Sequence, residues 1–379
     1  MSLLTFRSAR PYARAIRDKV AAGEMPPWHA DPRYGRFSND RRLTDAERDT
    51  LINWANTGSR EGDPRDLPAA PVFEDTWTIG KPDLILAMPT EFEVPAEGVV
   101  DWQYFKLPTG LTEDKWIAAI EVRAGAASVV HHSDLFVLAP DNTTAPPARP
   151  LVFVEPHFRD PAARSNPTWT AGSMLLITAA GTGAKRYPAA TGRLLKAGSV
   201  ITLNVHYTTN GQATKDRTRV AFKFASQPPS EEIRAGSFAN GTFVIPPGAA
   251  NHRVDAEMTF VEDTKLWTLW PHAHYRGKSY EYRAVYPDGR REIVLSVPKY
   301  NFEWQTEYEF AEPLLMPKGT KLEATAYFDN SRANRANPDP RAEVRWGDQS
   351  WEEMMFTWLS YSAANVPAKR SAAPSAARR

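Results

Sequence analysis

Residues 200–208 read Val-Ile-Thr-Leu-Asn-Val-His-Tyr-Thr. Ile201, Leu203, Val205 and Tyr207 fall on one side of an extended chain, and Thr202, Asn204 and His206 on the other. That period of two, in β-branched and aromatic residues, predicts a strand. The same alternation returns in Trp116, Ala118, Ile120 and Val122, and in the segments 243–245, 265–270, 280–286, 293–297 and 322–328. Turn dipeptides separate these runs, among them Asn210-Gly211, Pro247-Gly248 and Asp288-Gly289. With 32 prolines, about 8% of the chain against a usual ~5%, and with 12 Trp, 13 Tyr and 17 Phe, the composition favours strands joined by turns. The expected fold is therefore mainly β: two antiparallel β-sandwiches in tandem, preceded by a short helical segment. The domain boundaries read from the sequence are 1–65 (helical), 72–226, 232–362, and a tail over 363–379 rich in Ala, Pro and Ser that is expected to be disordered. The stretch Ala225-Ser226-Gln227-Pro228-Pro229-Ser230 marks the join of the two sandwiches.

Within 1–65, Ser8 is the expected cap of a helix with Tyr12, Ile16 and Val20 on its apolar face and Gly23 as its stop. Thr44 and Glu47 have capping-box spacing. They open a second helix whose Leu51, Ile52 and Ala55 are expected to be buried and whose end is Gly58.

Composition removes several function classes. Lys and Arg number 46 against 45 Asp and Glu, so there is no basic excess of the kind a phosphate backbone demands, and nucleic acid is not the expected partner. The 379 residues contain no cysteine, which excludes disulfides, thiolate metal sites, a cysteine nucleophile and covalently attached c-type haem. No apolar run is long enough for a membrane span, and the opening residues lack a secretory pattern.

The chemistry is expected to lie among eight histidines. His272-Ala273-His274 puts two imidazoles on one face of a strand flanked by Leu266, Trp267, Leu269 and Trp270. Buried imidazoles need partners, and a metal ion supplies one. His206 lies on the polar face of its strand, where solvation alone would satisfy it. His131-His132 are neighbours and would point to opposite faces of a regular strand, so one ion could collect both only at a bulge or a strand end, or through different ring nitrogens. Met354-Met355 would ordinarily fill a core, although a thioether favours copper(I) over zinc. His29, His157 and His252 have no motif around them and read as surface residues. Tyr207 and Asp134 are candidates for the groups that surround a site.

Taken in order, Val130-His131-His132, Leu203-Asn204-Val205-His206-Tyr207, His272-Ala273-His274-Tyr275-Arg276-Gly277-Lys278 and Glu353-Met354 resemble the copper type II, ascorbate-dependent monooxygenases, the family of peptidylglycine α-hydroxylating and dopamine β-monooxygenases. The resemblance covers roughly residues 75–362. It implies jelly-roll-like domains and two copper ions per chain across a solvent-filled cleft. His131, His132 and His206 would hold the electron-transfer ion. His272, His274 and Met354 would hold the catalytic, oxygen-binding ion, with Met355 as the alternative sulfur ligand. It further implies hydroxylation of a C–H bond in a small organic substrate, with dioxygen and ascorbate or another one-electron donor as partners. The family is usually exported, which points to a periplasmic or secreted protein, while a chain without a signal pattern leaves the cytoplasm open. Where peptide-processing members carry an arginine two residues before H-x-H, this chain has Trp270. Asn204 stands for a glutamine, and Phe356 and Trp358 replace polar residues after the methionine. These changes argue for a more aromatic pocket and against a peptide ending in glycine. Met25-Pro26-Pro27-Trp28-His29 is similar to the distal half of the cytochrome c domains that precede some bacterial members, with Met25 at the axial-ligand position. Without cysteine no haem is expected. Two other readings of the same residues stand beside the enzyme: a copper-binding or electron-transfer protein without hydroxylase activity, and a three-histidine zinc hydrolase, which leaves the methionine without a role.

Overall fold

The computed structural model describes residues 3–67, 69, 76–140, 153–154, 173–178, 182–347 and 349–364. The chain folds mainly as β-structure, in two jelly-roll-like sandwiches behind a short helical segment. The first sandwich packs a sheet built on Leu84–Ala87, Arg219–Phe224, Lys115–Arg123 and Thr191–Leu195 against a four-stranded sheet ordered Gln103–Pro108, Val200–Tyr207, Val130–Leu138, Ser173–Thr178. Ile117, Ile120, Leu135, Ile201, Leu203 and Val205 fill the space between the sheets. The second sandwich has one sheet ordered Arg234–Asn240, Met355–Ala363, Thr264–His272, Tyr308–Met316. Its other sheet is built on Arg291–Val297, Gly277–Val285, Lys321–Phe328 and His252–Phe260. Between them lies a larger core containing Phe238, Phe260, Tyr280, Tyr282, Tyr308 and Phe328. The pair Phe153–Val154 hydrogen-bonds to the edge of that second sheet, so backbone from the first half of the sequence extends a sheet of the second.

The expected strands are present, each within a few residues of its sequence-read span, and Gly211, Gly248 and Gly289 take the positive φ that their turns demand. Ala225–Ser230 is the join. Just beyond it Glu231–Glu232 still pairs in parallel with Thr191–Gly192 of the first sandwich, and Arg234 begins the second.

The helical segment departs from expectation in three ways. Thr5, not Ser8, is the first cap, and Ser8 is the N3 member of Thr5's capping box on a single turn, Phe6–Ala9. Tyr12 ends a 3₁₀ turn and is exposed, so only Ile16 and Val20 of the expected face turn inward. The Thr44–Glu47 box caps Asp45–Asn56 as expected, but Leu51, Ile52 and Ala55 are half-buried, since the helix packs mainly against the short helix Ala13–Ala21. The segment is also sewn into the second sandwich. Trp28 and Ala30 belong to its core, Phe37 bridges to Phe310, and Ser38 N–H donates to the Glu309 carbonyl at 2.8 Å. The Trp28 ring meets Tyr308 edge-on at 5.0 Å. Proline-kinked chain carrying two large aromatics buries more apolar surface on a sheet than in a small helical unit of its own. Met25 is 41% exposed. Of the tail expected to be disordered over 363–379, Ala363 still closes the strand Met355–Ala363 and Ala364 N–H donates to the Asp263 carbonyl at 2.9 Å, because pairing with Thr264 carries the strand that far; residues 365–379 and His157 lie outside the described residues.

Candidate functional site

The strand Val130–Leu138 pairs with Val200–Tyr207 in regular antiparallel register until His206 faces His132; at the next step Tyr207 faces Val130. The register shift is a bulge, and His131 is the extra residue. A bulge turns two successive side chains toward one side, which brings His131, His132 and His206 together. One ring nitrogen from each lies within 4.8 Å of the others. Nδ1 of His131 and Nδ1 of His132 are 2.9 Å apart. Two ligand nitrogens that each sit about 2 Å from one ion are about 3 Å from each other, so this spacing suits shared coordination. Nδ1 of His206 is buried with no hydrogen-bond partner among the described residues, an orphan that a metal ion would satisfy. Burial and the neighbouring imidazoles hold His132 well below its ordinary pKa, and burial takes His206 down to about 4. At neutral pH both keep a free lone pair. Trp102, from the neighbouring strand position, stacks on His206 at 5.3 Å and meets His132 edge-on at 4.8 Å.

The polar face of Val200–Tyr207 is not solvated: Thr202 and Asn204 are buried beside half-buried His206. The reason is tertiary. That face looks onto the second sandwich across a cavity of about 290 Å³.

On the opposite wall stand His272, His274 and Met354. His272 ends its strand and His274 follows just beyond it, their rings 5.1 Å apart. His272 Nδ1 lies 2.7 Å from Gln305 Oε1, and His274 Nδ1 lies 3.3 Å from the Glu352 carbonyl. Both partners are acceptors, so each Nδ1 carries the proton and each Nε2 is left with its lone pair. Burial pushes His272 down to about 4 and His274, only 4% exposed, down to about 3. The backbone between them is clamped. The Tyr280 hydroxyl donates to the His272 carbonyl at 2.5 Å, and the Tyr300 hydroxyl lies 3.1 Å from Ala273 N and 2.9 Å from Ala273 O. One oxygen of the buried Glu353 carboxylate accepts from His274 N–H at 2.7 Å and from Met354 N–H at 3.1 Å, and the other accepts from Arg276 N–H at 2.6 Å. Burial raises Glu353 to about 7 against those three donors. The two methionines separate cleanly: Met355 is fully buried in the hydrophobic core, and Met354 lines the cavity.

Phe302 stands between the two clusters, 6.3 Å from the His131 ring and 5.9 Å from the His274 ring. An aromatic side chain therefore occupies part of the gap that the family resemblance pictured as solvent. Phe356 and Trp358 line the cavity as expected of an aromatic pocket, but Trp270 does not. Its indole lies 6.2 Å from Trp358 and faces a second cavity, beside Lys185 and Glu307. Strand alternation puts Trp270 and His272 on one face, and it is the chain crossing at 304–305 that divides the two cavities, since Gln305 lines both. His29 is half-buried in the strap on the second sandwich, and burial lowers its pKa. His252 opens an outer strand, away from both clusters. Tyr207 donates to Asp216 at 2.8 Å inside the first sandwich rather than to any site histidine. Asp134 lines the cavity, and burial raises it to about 7.

Sequence reading did not find Trp102, Gln305 and Phe302. Each is a lone residue in a loop or at a strand end with no spacing to mark it; only the second half of Asn301-Phe302-Glu303-Trp304-Gln305, aromatic yet in no alternating run, hinted at a working loop.

Fold and site together define a tandem β-sandwich protein with two imidazole clusters on facing walls of one cavity. No family model matches the chain, and no curated protein matches it either. Among solved structures, the major capsid protein P2 of bacteriophage PM2 aligns over 74% of this chain and 96% of its own, at 9% identity and a TM-score of 0.29. The mavirus major capsid protein aligns over 86% and 92%, at 7% identity and a TM-score of 0.20. Bacillus subtilis oxalate decarboxylase aligns over 75% and 78%, at 6% identity and a TM-score of 0.14. Likenesses this slight carry no functional argument. No helix among the described residues is long and apolar enough to cross a membrane.

Proposed function

We propose that this protein is a copper-dependent monooxygenase that hydroxylates a C–H bond of a small organic substrate, using dioxygen and an ascorbate-type one-electron donor. The observation that carries the reading is the unequal pair of donor sets on one cavity: three imidazoles on one wall, and two imidazoles with a thioether on the other. Zinc has no use for the sulfur, whereas copper(I) does. Copper bound at His131, His132 and His206, and at His272, His274 and Met354, would supply one-electron chemistry with dioxygen that amino-acid side chains cannot perform.

The chain's own part is positioning and exclusion of water. Gln305 and the Glu352 carbonyl hold His272 and His274 in the tautomer that presents Nε2. Glu353 ties the backbone of His274 to that of Met354, so the imidazole and the thioether move together. Trp102 fixes the ring plane of His206. Phe302, Phe356 and Trp358 give the cavity an apolar lining that takes up the hydrocarbon part of a substrate and limits water beside the reacting bond.

A copper titration of the full chain tests the reading. Two ions per chain are expected, falling to one in His272→Ala, while Met354→Ala loses the sulfur scattering from the copper(I) X-ray absorption spectrum. Ascorbate-dependent oxygen uptake coupled to a hydroxylated product completes the case. An unchanged copper count in His272→Ala, or retention of zinc in preference to copper, overturns it. Full copper loading without oxygen uptake across a panel of organic substrates would favour the electron-transfer reading instead.

A further inference from the structure

The first seventeen residues carry Arg7, Arg10, Arg14 and Arg17 and no acid, in a chain whose charges balance overall at 46 against 45. Elsewhere the chain neutralises surface arginines with an acid two residues away: Arg33 with Asp31, Arg42 with Asp40, Arg65 with Asp63 and Arg341 with Asp339. Of the first four arginines, only Arg17 has a carboxylate partner among the described residues, Asp18, and its guanidinium also reaches Asn56 of the neighbouring helix at 3.2 Å. Arg7, Arg10 and Arg14 are exposed. The turn Phe6–Ala9, the 3₁₀ turn Arg10–Tyr12 and the helix Ala13–Ala21 follow one another without a break. Steps of three and four residues along such a path set the three guanidinium groups in one stripe.

The same stretch is apolar where it is not basic. Leu3, Leu4 and Tyr12 are 59%, 67% and 46% exposed. They are three of the eleven large hydrophobic side chains that the described residues leave exposed, and all three fall within residues 3–12. Single exposed apolar residues need no explanation, but a cluster of them does. The inner side of the helix is already spent, since Ala13, Ile16 and Val20 turn toward Asp45–Asn56. Arginines without a countercharge call for an anionic partner, and leucine and tyrosine beside them call for apolar matter within reach of the same surface. The headgroup layer of an anionic bilayer supplies both. It also demands no matching shape, whereas an acidic protein would have to mould itself to a single convex helix. We propose that residues 3–14 are an interfacial anchor that holds the protein against an anionic lipid bilayer, with Leu3, Leu4 and Tyr12 at the acyl boundary and Arg7, Arg10 and Arg14 on the lipid phosphates. The anchor lies on the membrane and does not cross it.

This inference goes beyond the proposed function and depends on neither histidine cluster. Its test is co-sedimentation of the full chain with vesicles of phosphatidylcholine alone and of phosphatidylcholine mixed equally with phosphatidylglycerol. Binding to the anionic vesicles is expected to be at least about tenfold tighter than to the neutral ones and to weaken as salt rises. A basic residue at such a surface is worth about fivefold in partitioning, so Arg7→Gln, Arg10→Gln and Arg14→Gln together should weaken binding on the order of a hundredfold. Leu3→Ser with Leu4→Ser should weaken it at least about tenfold and leave the salt dependence intact. Arg65→Gln, which neutralises an exposed arginine outside the anchor, should change nothing. Every substituted side chain is exposed, so far-ultraviolet dichroism and the urea midpoint should match wild type in each variant. Failure to bind the anionic vesicles, equal binding to neutral ones, or binding that survives the triple arginine substitution overturns the proposal. Binding that needs the arginines but not the leucines, and that soluble polyglutamate competes away, also overturns it and assigns the face to an acidic protein instead.

Discussion

Replacing Lys185 with methionine should destabilise the protein far more than a typical surface substitution. Lys185 Nζ lies 2.6 Å from Glu307 Oε1, and the two side chains are only 11% and 16% exposed. Lys185 belongs to the first sandwich and Glu307 to the second, so the pair spans the two units that carry the histidine clusters. Burial by itself would lower the lysine, yet the Glu307 carboxylate holds the ammonium above its ordinary pKa. Burial and the Glu307 charge together raise Glu309 nearby. Losing the ammonium would leave Glu307 buried beside a second acid and without its ion-pair partner. Breaking one side of a buried pair costs about 3–5 kcal/mol, against ~0–1 kcal/mol for an exposed pair. Lys185→Met is therefore expected to cost about 3 kcal/mol or more, and Lys185→Met with Glu307→Gln should recover most of that loss. Urea unfolding followed by tryptophan fluorescence and by far-ultraviolet dichroism reads both transitions of a two-domain chain. A single substitution within ~0.5 kcal/mol of wild type, or a double-mutant cycle with no coupling, would refute the argument that this contact locks the sandwiches together.

Two further outcomes follow from the same geometry. In the metal-free protein, His272 has its pKa depressed from 6.5 to about 4, so the unfolded chain takes up a proton that the native one refuses. The share of stability that His272 supplies should be full above pH ~6.5 and be lost, about 3 kcal/mol, as the pH drops through that window to ~4. His132, His206 and His274 are depressed as well and steepen the fall, so urea midpoints measured against pH should show a summed slope that His272→Ala makes shallower by its own share. Glu353→Ala strands the buried backbone N–H groups of His274 and Arg276, at ~1–3 kcal/mol each, and the part-buried N–H of Met354. It should lower the melting temperature by more than Tyr300→Phe, which removes one hydroxyl from Ala273, and differential scanning calorimetry compares them.

Some of the site could be read from spacing alone. His272 and His274 stand two apart on an extended chain, and two-residue periodicity puts them on one face wherever the strand lies. The adjacent pair His131-His132 carried the opposite message: only a bulge could reconcile both with one ion, and whether a bulge forms depends on pairing with a strand some seventy residues away. His206 illustrates the same limit, since its strand alternates as an exposed face would, and the second sandwich is what buries it. The choice between Met354 and Met355 was likewise open in the sequence. Adjacent residues at a strand's start point to opposite sides, and only the placement of the core decides which side is the cavity.

The sequence by itself determined the class of fold, the strands and their turns, and the donor types available, because alternation, turn chemistry and side-chain chemistry are local properties that survive in any packing. Tertiary structure decided which donors meet, which polar face is hidden, that Trp28 and Phe37 are spent on the second sandwich, and that Met354 rather than Met355 faces an aromatic cavity. Those outcomes depend on distances between segments far apart in the chain, and such distances are set by the summed burial of two whole cores rather than by any one stretch of residues.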